Sequence, residues 1–338
     1  MREEIKNMYN DRDCIAEVNA IPSVEIFRWA SNNPPKYTIA IPTYKRTNLL
    51  VYALDSCLCQ KDYNNFEILV VDNNPERGDE TEELMLSKYN KQNIAYYKNS
   101  ENLGMTGNWN KLYSLARTDW VVMLHDDDML YPDFMKRMNK VVENDKEAAC
   151  IFSCYNSINN ETGLQPERQK CPTKIMTLKE TDYLTGCHLH APLGMTCKRN
   201  VVMELGGFNP DYYPSLDFHF HVKMAHFHTV RWLRGYPIAT YRWLVNASQK
   251  EETLWGWLDK DSKIKRLILK NNKGLVSSRL FEMYLTYFNY IYECGWKKHC
   301  GKNLPMPKKP GIIYHVIYLI LKLRLGLPKK LRKVSSIK

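Results

Sequence analysis

The sequence has no apolar run long enough to cross a bilayer. Its best candidate, Ile312 to Leu325, is fourteen residues long and contains Lys322 and Arg324, whereas a spanning helix needs about twenty apolar residues. It shows no secretory leader pattern either, because the opening MREEIKNMYNDRD has no apolar core. Ten cysteines are scattered along the chain, and Cys57-x-Cys59 and Cys150-x3-Cys154 lack second pairs at zinc-ribbon spacing. Such cysteines are expected as small buried hydrophobes in a reduced, cytoplasmic chain. No repeat of fixed period is present. Acidic residues are missing from the end: Lys297 to Lys338 hold twelve Lys plus Arg and no Asp or Glu, so the formal +11 of the chain leaves 11 − 12 = −1 for residues 1–296. The basicity belongs to a tail, and with no aromatic-basic module beside it no nucleic-acid partner is expected.

What is present is apolar content, 44% of 338 residues, enough for one large or two modest globular domains. Strand-length apolar runs alternate with helix-length amphipathic segments. That is the rhythm of βαβ units, so the expected class is α/β with a mostly parallel sheet flanked by helices. YTIAIP (37–42), FEILVVD (66–72), IAYYK (94–98) and WVVMLHDD (120–127) read as strands. NLLVYALDSCLCQ (48–60), DETEELMLSKY (79–89), NWNKLYSLA (108–116) and PDFMKRMNKVVEN (132–144) read as the helices that follow them. Beyond AACIFSC (148–154) the pattern loosens, with a turn at NNETG (159–163), a short helix in RNVVMELGGF stopped by glycines, and apolar stretches TVRWL and PIATYRWL. Helices are expected at 251–272 and 277–297.

In open parallel sheets the ligand crevice lies at the carboxyl ends of the strands. These ends are polar here: PTYKR, DNN, NSENLGMTGN and HDDD. The cluster Asp126, Asp127 and Asp128 supplies the oxygen ligands that Mg²⁺ and Mn²⁺ prefer. Taken alone, it reads more readily as a solvated acidic turn capping the helix after Pro132, with Asp128 as part of the cap. Asp72 ends its strand where a carboxylate can accept hydrogen bonds from a base edge or ribose, and as an isolated residue it is equally a turn cap.

The four segments IAIPTYKR, EILVVDNN, NLGMTGNWN and VVMLHDDDML, in this order and spacing, resemble glycosyltransferase family two, whose catalytic domain has the GT-A fold. The resemblance covers roughly residues 37–250. It implies a donor pocket lined by Pro42, Thr43, Tyr44 and Arg46, with Asp72 on the base and Asn102 and Gly104 where backbone approaches the nucleotide closely. It implies a divalent metal, Mn²⁺ or Mg²⁺. The family's Asp-x-Asp puts His125 at the first acidic position, Asp126 at the variable one, near the ribose or metal waters, and Asp127 at the second, as principal ligand. His125 departs from the pattern, and an imidazole there either binds metal or is structural.

GGFNPDYYPSLDFHFHVKMA resembles the family segment in which a GGF turn leads to an acidic pair at a helix start. Asp217 falls on the second acid and Leu216 replaces the first. Asp217 is thus the expected general base, with Asp211 in reserve. YRWLVNASQK resembles a later family stretch, in which Arg242 approaches the diphosphate or braces the loop. The pairs His188/His190, His219/His221 and His226/His228 lack partners at zinc-ligand spacing. Those near Asp217 are expected to line or wall the acceptor cleft. Trp232, Trp243, Trp255 and Trp257 are expected mostly in the core.

The expected organisation is a lead-in (1–36) packed on the core, a GT-A catalytic domain (37–250), and a helical extension (251–338) ending in a basic amphipathic tail (308–338). The catalytic domain divides into a nucleotide-binding half (37–155) and an acceptor half (156–250). The tail suits an interfacial helix on an anionic membrane surface, or a helix docked on the chain's own core. The implied activity is inverting transfer from a nucleotide sugar, most often UDP-linked, to a glycan or polyprenyl-diphosphate-linked acceptor in bacterial surface polysaccharide assembly. The enzyme would be cytoplasmic and peripheral on the inner face of the cell membrane. Rival readings are a catalytically silent nucleotide-sugar-binding protein at the membrane, suggested by His125 and Leu216, and a sugar nucleotidyltransferase, disfavoured because IPTYKR has no glycine.

Overall fold

A computed structural model describes residues 2–9, 11–29, 34–159, 162–186, 192–243, 250–299, 305–330 and 335–337. The chain opens with helices α1 (Arg2–Tyr9) and α2 (Cys14–Asn19) and strand β1 (Ser23–Arg28). The parallel part of the sheet and its helices follow: β2 (Tyr37–Thr43), α3 (Thr47–Leu58), β3 (Phe66–Asp72), α4 (Glu80–Leu84) continued by a π-turn, β4 (Ile94–Asn99), α5 (Gly104–Leu115) and β5 (Trp120–Met123). Then come β6 (Met129–Leu130), α6 (Phe134–Asn144), β7 (Cys150–Phe152), β8 (Tyr155–Ile158), β9 (Thr173–Leu178), β10 (Met195–Lys198) and α7 (Arg199–Glu204). The chain continues with α8 (Leu216–Phe227), β11 (Val230–Arg234), β12 (Ala239–Arg242), α9 (Glu251–Asn271), α10 (Ser278–His299), α11 (Ile312–Lys330) and β13 (Ser335–Ile337).

Ten strands form one sheet in the order β1-β4-β3-β2-β5-β10-β7-β11-β9-β13. The segment β4-β3-β2-β5 is parallel throughout, in the register Ile39 with Ile68 and Val122, and Ala40 with Leu69 and Met123. Strands β2 and β3 are buried along their whole length, as parallel strands covered by helices on both faces must be. Alternation then sorts their side chains. Ile39, Ile41, Ile68 and Val70 join Leu50, Leu54, Phe134 and Met138 of α3 and α6 on one face. Ala40, Leu69 and Val71 join Trp109, Leu112 and Tyr113 of α5 on the other. From β2 the chain steps outward through β3 to β4 and returns to β5 on β2's opposite side. This leaves a topological switch point between the ends of β2 and β5.

The sequence expectation of an α/β sheet flanked by helices, with helices at the C-terminal end, is met. Two boundaries differ by more than two residues. The fourth parallel strand stops at Met123, not at Asp127, because after Leu124 the chain turns, with Asp128 N–H donating to the His125 carbonyl at 3.2 Å. Helix α5 begins at Gly104, four residues before the expected start, because Gly104 has φ +68° and lets the chain swing directly into the helix. A short second sheet, β6-β12-β8, sets Met129 opposite Thr240 and Leu130 opposite Ala239, tying the segment after the aspartates to the second half of the chain.

The lead-in is knitted into that second half. The Tyr9 hydroxyl donates to Glu180 at 2.7 Å, and the Tyr212 hydroxyl to the Tyr9 carbonyl at 2.8 Å. The buried ammonium of Lys223 pairs with Asp11 and donates to the carbonyls of Leu205 and Gly207, both at 3.1 Å. The Asn110 side chain clamps the Phe208 backbone by two 2.8 Å bonds. Gly207 has φ +75°, and a Cβ there would lie 2.4 Å from Asn110 Oδ1, so only glycine fits this turn into the α8 region.

Candidate functional site

Thr43, the last residue of β2, donates its hydroxyl to Asp126 Oδ2 at 2.9 Å across the switch point. Arg46 stands just before α3, and its guanidinium reaches Asp127 Oδ2 at 2.8 Å and Asp126 Oδ1 at 3.5 Å. Between them Lys45 takes a positive φ of 53°, which turns the loop, and Tyr44 is exposed. Pro42 lies within β2 opposite Val71, and Thr43 opposite Asp72.

The three aspartates are 6%, 8% and 1% exposed, which excludes the solvated acidic turn. Nor does Asp128 cap α6. Its Oδ1 accepts from the Arg242 N–H at 2.8 Å, and its Oδ2 lies 3.3 Å from His125 Nδ1. Arg242, 1% exposed, donates through Nε to the Asp127 carbonyl at 2.7 Å and through Nη1 to the Thr162 carbonyl at 2.9 Å. The first of these bonds ties Arg242 to the backbone of the acidic loop. His125 stacks on Trp109 with ring centroids 5.2 Å apart and 17° between planes, and its Nε2 is buried without a hydrogen-bond partner among the described residues.

Burial and the neighbouring Asp127 push the Asp126 carboxyl up to about 6, against the opposing pull of Arg46 and Thr43. Asp128 is also raised, by burial and Asp127, despite His125. Burial pulls the His125 imidazole down, but the contact with Asp128 and the charges of Asp127 and Asp126 outweigh it, so its pKa is raised. Burial and the crowding of like charges raise these carboxyls, and a bound cation would relieve the crowding.

His125, Asp127 and Asp128 each offer one ligand atom, all within 4.8 Å of one another, and form the one such set among the described residues. Two carboxylates and an imidazole suit Mn²⁺ or Mg²⁺. The sequence expectation named Asp126 with His125 and Asp127; Asp126 is instead tied to Thr43, and Asp128 takes its place in the set. Arg46 lies on Asp127 from the outside, and at 45% exposure it has room to swing away.

Asp72 is fully buried. It accepts from Lys98 Nζ at 2.7 Å, the Tyr96 hydroxyl at 2.9 Å and the Asn74 N–H at 2.9 Å. Burial nonetheless leaves its pKa raised. Asn102 Oδ1 accepts from Asn73 Nδ2 at 2.7 Å and from the Gly104 N–H at 2.9 Å. A Cβ on Gly104 would meet no other protein atom within 4 Å, and its left-handed backbone at φ +68° favours glycine there. Sequence reasoning missed the network behind this loop. Asn99 donates to Asn73 and to Asn108, each at 3.0 Å, and Asn108 to the Val71 carbonyl at 3.0 Å. The run of asparagines in SENLGMTGNWN was the available signal.

Asp217 is the second residue of α8, and its Oδ1 accepts from the Phe218 N–H at 2.8 Å. Burial, together with the charge of Asp261 on α9, raises its carboxyl to about 6, while His125 pulls the other way. The base candidate and the acidic loop therefore share one electrostatic environment. Leu216 is buried. Asp211, the reserve, does not join them: it is exposed and pairs with Arg12 at 3.4 Å.

The two described histidine pairs do not assemble. On α8, His219 stacks on Tyr212 at 3.6 Å, whereas His221 meets Phe152 edge-on at 4.6 Å. His226 contacts Glu180 at 2.6 Å and His228 lies 3.7 Å from Glu204. His188, His190 and residues 244–249 of YRWLVNASQK lie outside the described residues. Trp232 packs on the core, Trp243 stands near Tyr241, Trp257 donates to the Pro214 carbonyl at 3.3 Å, and Trp255 is exposed.

A parallel sheet with an acidic loop across its switch point defines a GT-A-like fold. The same architecture is found in S. aureus TarS 1-349 crystallised with UDP-GlcNAc, with a TM-score of 0.52, 13% identity, and coverage of 87% of this chain and 91% of that one. Residues 38–197 match the family described as glycosyl transferase family 2. Among curated relatives, the uncharacterized glycosyltransferase MJ1057 of Methanocaldococcus jannaschii is 22% identical over 171 residues, 51% of this chain and 58% of the relative. The amylovoran biosynthesis glycosyltransferase AmsB of Erwinia amylovora is 25% identical over 164 residues, 45% of this chain and 51% of the relative. The chain spans about half the length of these relatives.

Proposed function

We propose that the protein is an inverting, divalent-metal-assisted glycosyltransferase. It moves a sugar from a nucleotide sugar, a UDP-sugar in the first instance, to a hydroxyl of a glycan or polyprenyl-diphosphate-linked acceptor. The setting is bacterial surface polysaccharide assembly at the inner face of the cell membrane, a reading supported by the biosynthetic name of AmsB. The catalytic domain is residues 37–250, with the lead-in bracing it and 251–338 as an extension. The observation that carries the proposal is the convergence of Thr43 and Arg46 with His125, Asp127 and Asp128 at one switch point, together with a raised carboxyl at Asp217 that senses His125.

Mn²⁺ or Mg²⁺ held by Asp127 with His125 and Asp128 supplies charge neutralisation for a departing diphosphate when bound. Arg46, already on Asp127, turns its guanidinium to phosphate oxygens. Thr43 and Asp126 stay coupled and fix the mouth of the loop on the donor side, near the ribose, while Pro42 and Tyr44 shape the wall beside them. Asp72, Asn102 and Gly104 hold the far side, where the base would lie. Asp217 accepts the proton of the attacking hydroxyl, and with a pKa of about 6 it is ionised near neutrality yet basic enough to take it. Attack from the face opposite the leaving group inverts the anomeric centre.

A thermal-shift screen of nucleotide sugars with Mn²⁺ tests the donor site. A matching donor at about 100 times its Kd raises stability by about 2.7 kcal/mol. A flat response to every nucleotide and nucleotide sugar, with Mn²⁺ or Mg²⁺, sinks the proposal.

A further inference from the structure

Helix α11 has two apolar faces. Through Tyr318, Leu321 and Leu325 it packs inward. The Tyr318 ring lies 5.5 Å from that of Tyr284 and 5.3 Å from that of Tyr287, and His315 lies 4.8 Å from Tyr287, all against α10. The opposite face carries Ile312, Ile313, Val316, Leu319, Ile320 and Leu323, which are 75%, 59%, 46%, 45%, 58% and 67% exposed. At about 100° per residue these six fall in a single stripe roughly 120° wide. Lone exposed leucines need no explanation, but a continuous apolar stripe on a packed helix does.

Charge identifies its occupant. On the helical wheel Lys322 lies along one edge of the stripe and Arg324 along the other, both exposed, and exposed Lys308 and Lys309 precede the helix. The sequence holds no acidic residue from Lys297 to Lys338, and Lys329, Lys330, Arg332 and Lys333 follow. A second copy of the chain seated on this stripe would set these cations against their own equivalents with no carboxylate between them. An anionic bilayer meets both demands: acyl chains take the stripe, and headgroup phosphates take the cations that snorkel from its edges. The helix is not both long and apolar enough to cross.

We propose that the outer face of α11 is a docking surface for anionic membrane, lying in the interfacial plane while its inner face stays fixed on α10. The helix is folded before it binds, so binding incurs no ordering cost, and the rest of the protein is held at the surface as a rigid body.

Flotation of the full chain with phosphatidylcholine vesicles, with and without added phosphatidylglycerol, tests this. The wild type floats with the anionic vesicles and less in high salt. Ile313→Asp/Ile320→Asp loses binding at least tenfold, and Lys322→Gln/Arg324→Gln loses about thirtyfold on anionic vesicles, near the limit for two basic residues. Melting temperatures shift little, since all four side chains are exposed and Lys322 gives up only a 5.2 Å contact with the Tyr318 ring. Three outcomes overturn the proposal: no flotation of the wild type, equal flotation of the Ile313→Asp/Ile320→Asp variant, or a wild-type dimer that this variant dissociates in the absence of vesicles. The assay reads binding alone, so its failure leaves the transferase reading standing.

Discussion

Replacing Asp217 by asparagine removes one proton acceptor and little else. Among the described residues the side chain accepts from the Phe218 N–H at 2.8 Å, and an asparagine carbonyl accepts the same bond. A positioned general base is worth about 10²–10⁴ in rate, so kcat should fall by that factor, about 3–5 kcal/mol in the barrier, with donor KM little changed. The pH profile sharpens the test. A carboxyl at about 6 is about 97% ionised at pH 7.5, so wild-type kcat should stay flat above pH 7 and lose activity as pH falls through about 6. A carboxylate at its ordinary value of 3.8 would hold activity some two pH units lower. Stability runs the other way. The folded state binds this proton more tightly than the unfolded chain, so the group favours folding at low pH and that contribution is lost as pH rises from about 4 through about 6. Asp217→Asn should therefore melt no lower than wild type at pH 7.5, and slightly higher. An asparagine variant as active as wild type, or one retaining the acidic limb near 6, would refute the assignment.

Other expectations follow from the same geometry. Arg242→Ala removes charge-assisted hydrogen bonds to the buried Asp127 carbonyl and the more exposed Thr162 carbonyl and should cost about 3 kcal/mol by urea unfolding, with weaker Mn²⁺ binding as the loop loosens; unchanged Mn²⁺ affinity would end the brace argument. Lys98→Met strands Asp72 and Asp79, which it now contacts at 2.7 and 2.9 Å, and should destabilise by about 3–5 kcal/mol, with a denaturation midpoint that rises as pH is lowered and Asp72 takes up a proton. For His125, calorimetric titration of Mn²⁺ should show at least a tenfold weaker Kd in His125→Ala, about 1.4 kcal/mol, and recovery in His125→Asp. Equal affinities in all three proteins would make His125 a structural residue stacked on Trp109.

The front half of the fold was legible because its strands are short, continuously apolar and punctuated by polar ends, so β3 was read to the residue and β2 to within one. The end of β5 was not, since a hydrophobic run gives no sign that the backbone turns at Leu124, and Asp128 looked like a helix cap when its partners are Arg242 and His125. Those partners could not be read. Arg242 reaches the loop through β6 and β12, a pairing only two residues long on one side, and Asp261 reaches Asp217 from a helix 44 positions further along the chain. The tail left two readings open, interfacial or docked, because helical periodicity cannot say which of two apolar faces finds a protein neighbour. In the fold one face is docked and the other lies open.

The central claim is metal-assisted transfer from a nucleotide sugar through the loop of three aspartates. Its most direct measurement is nucleotide release from a donor panel by wild type and Asp127→Ala, each with Mn²⁺, Mg²⁺ or EDTA. Release by wild type with a divalent ion, abolished by EDTA and lowered at least a hundredfold in the variant, is the predicted result. Donor binding without release under any condition, or release indifferent to EDTA and to Asp127, would contradict it.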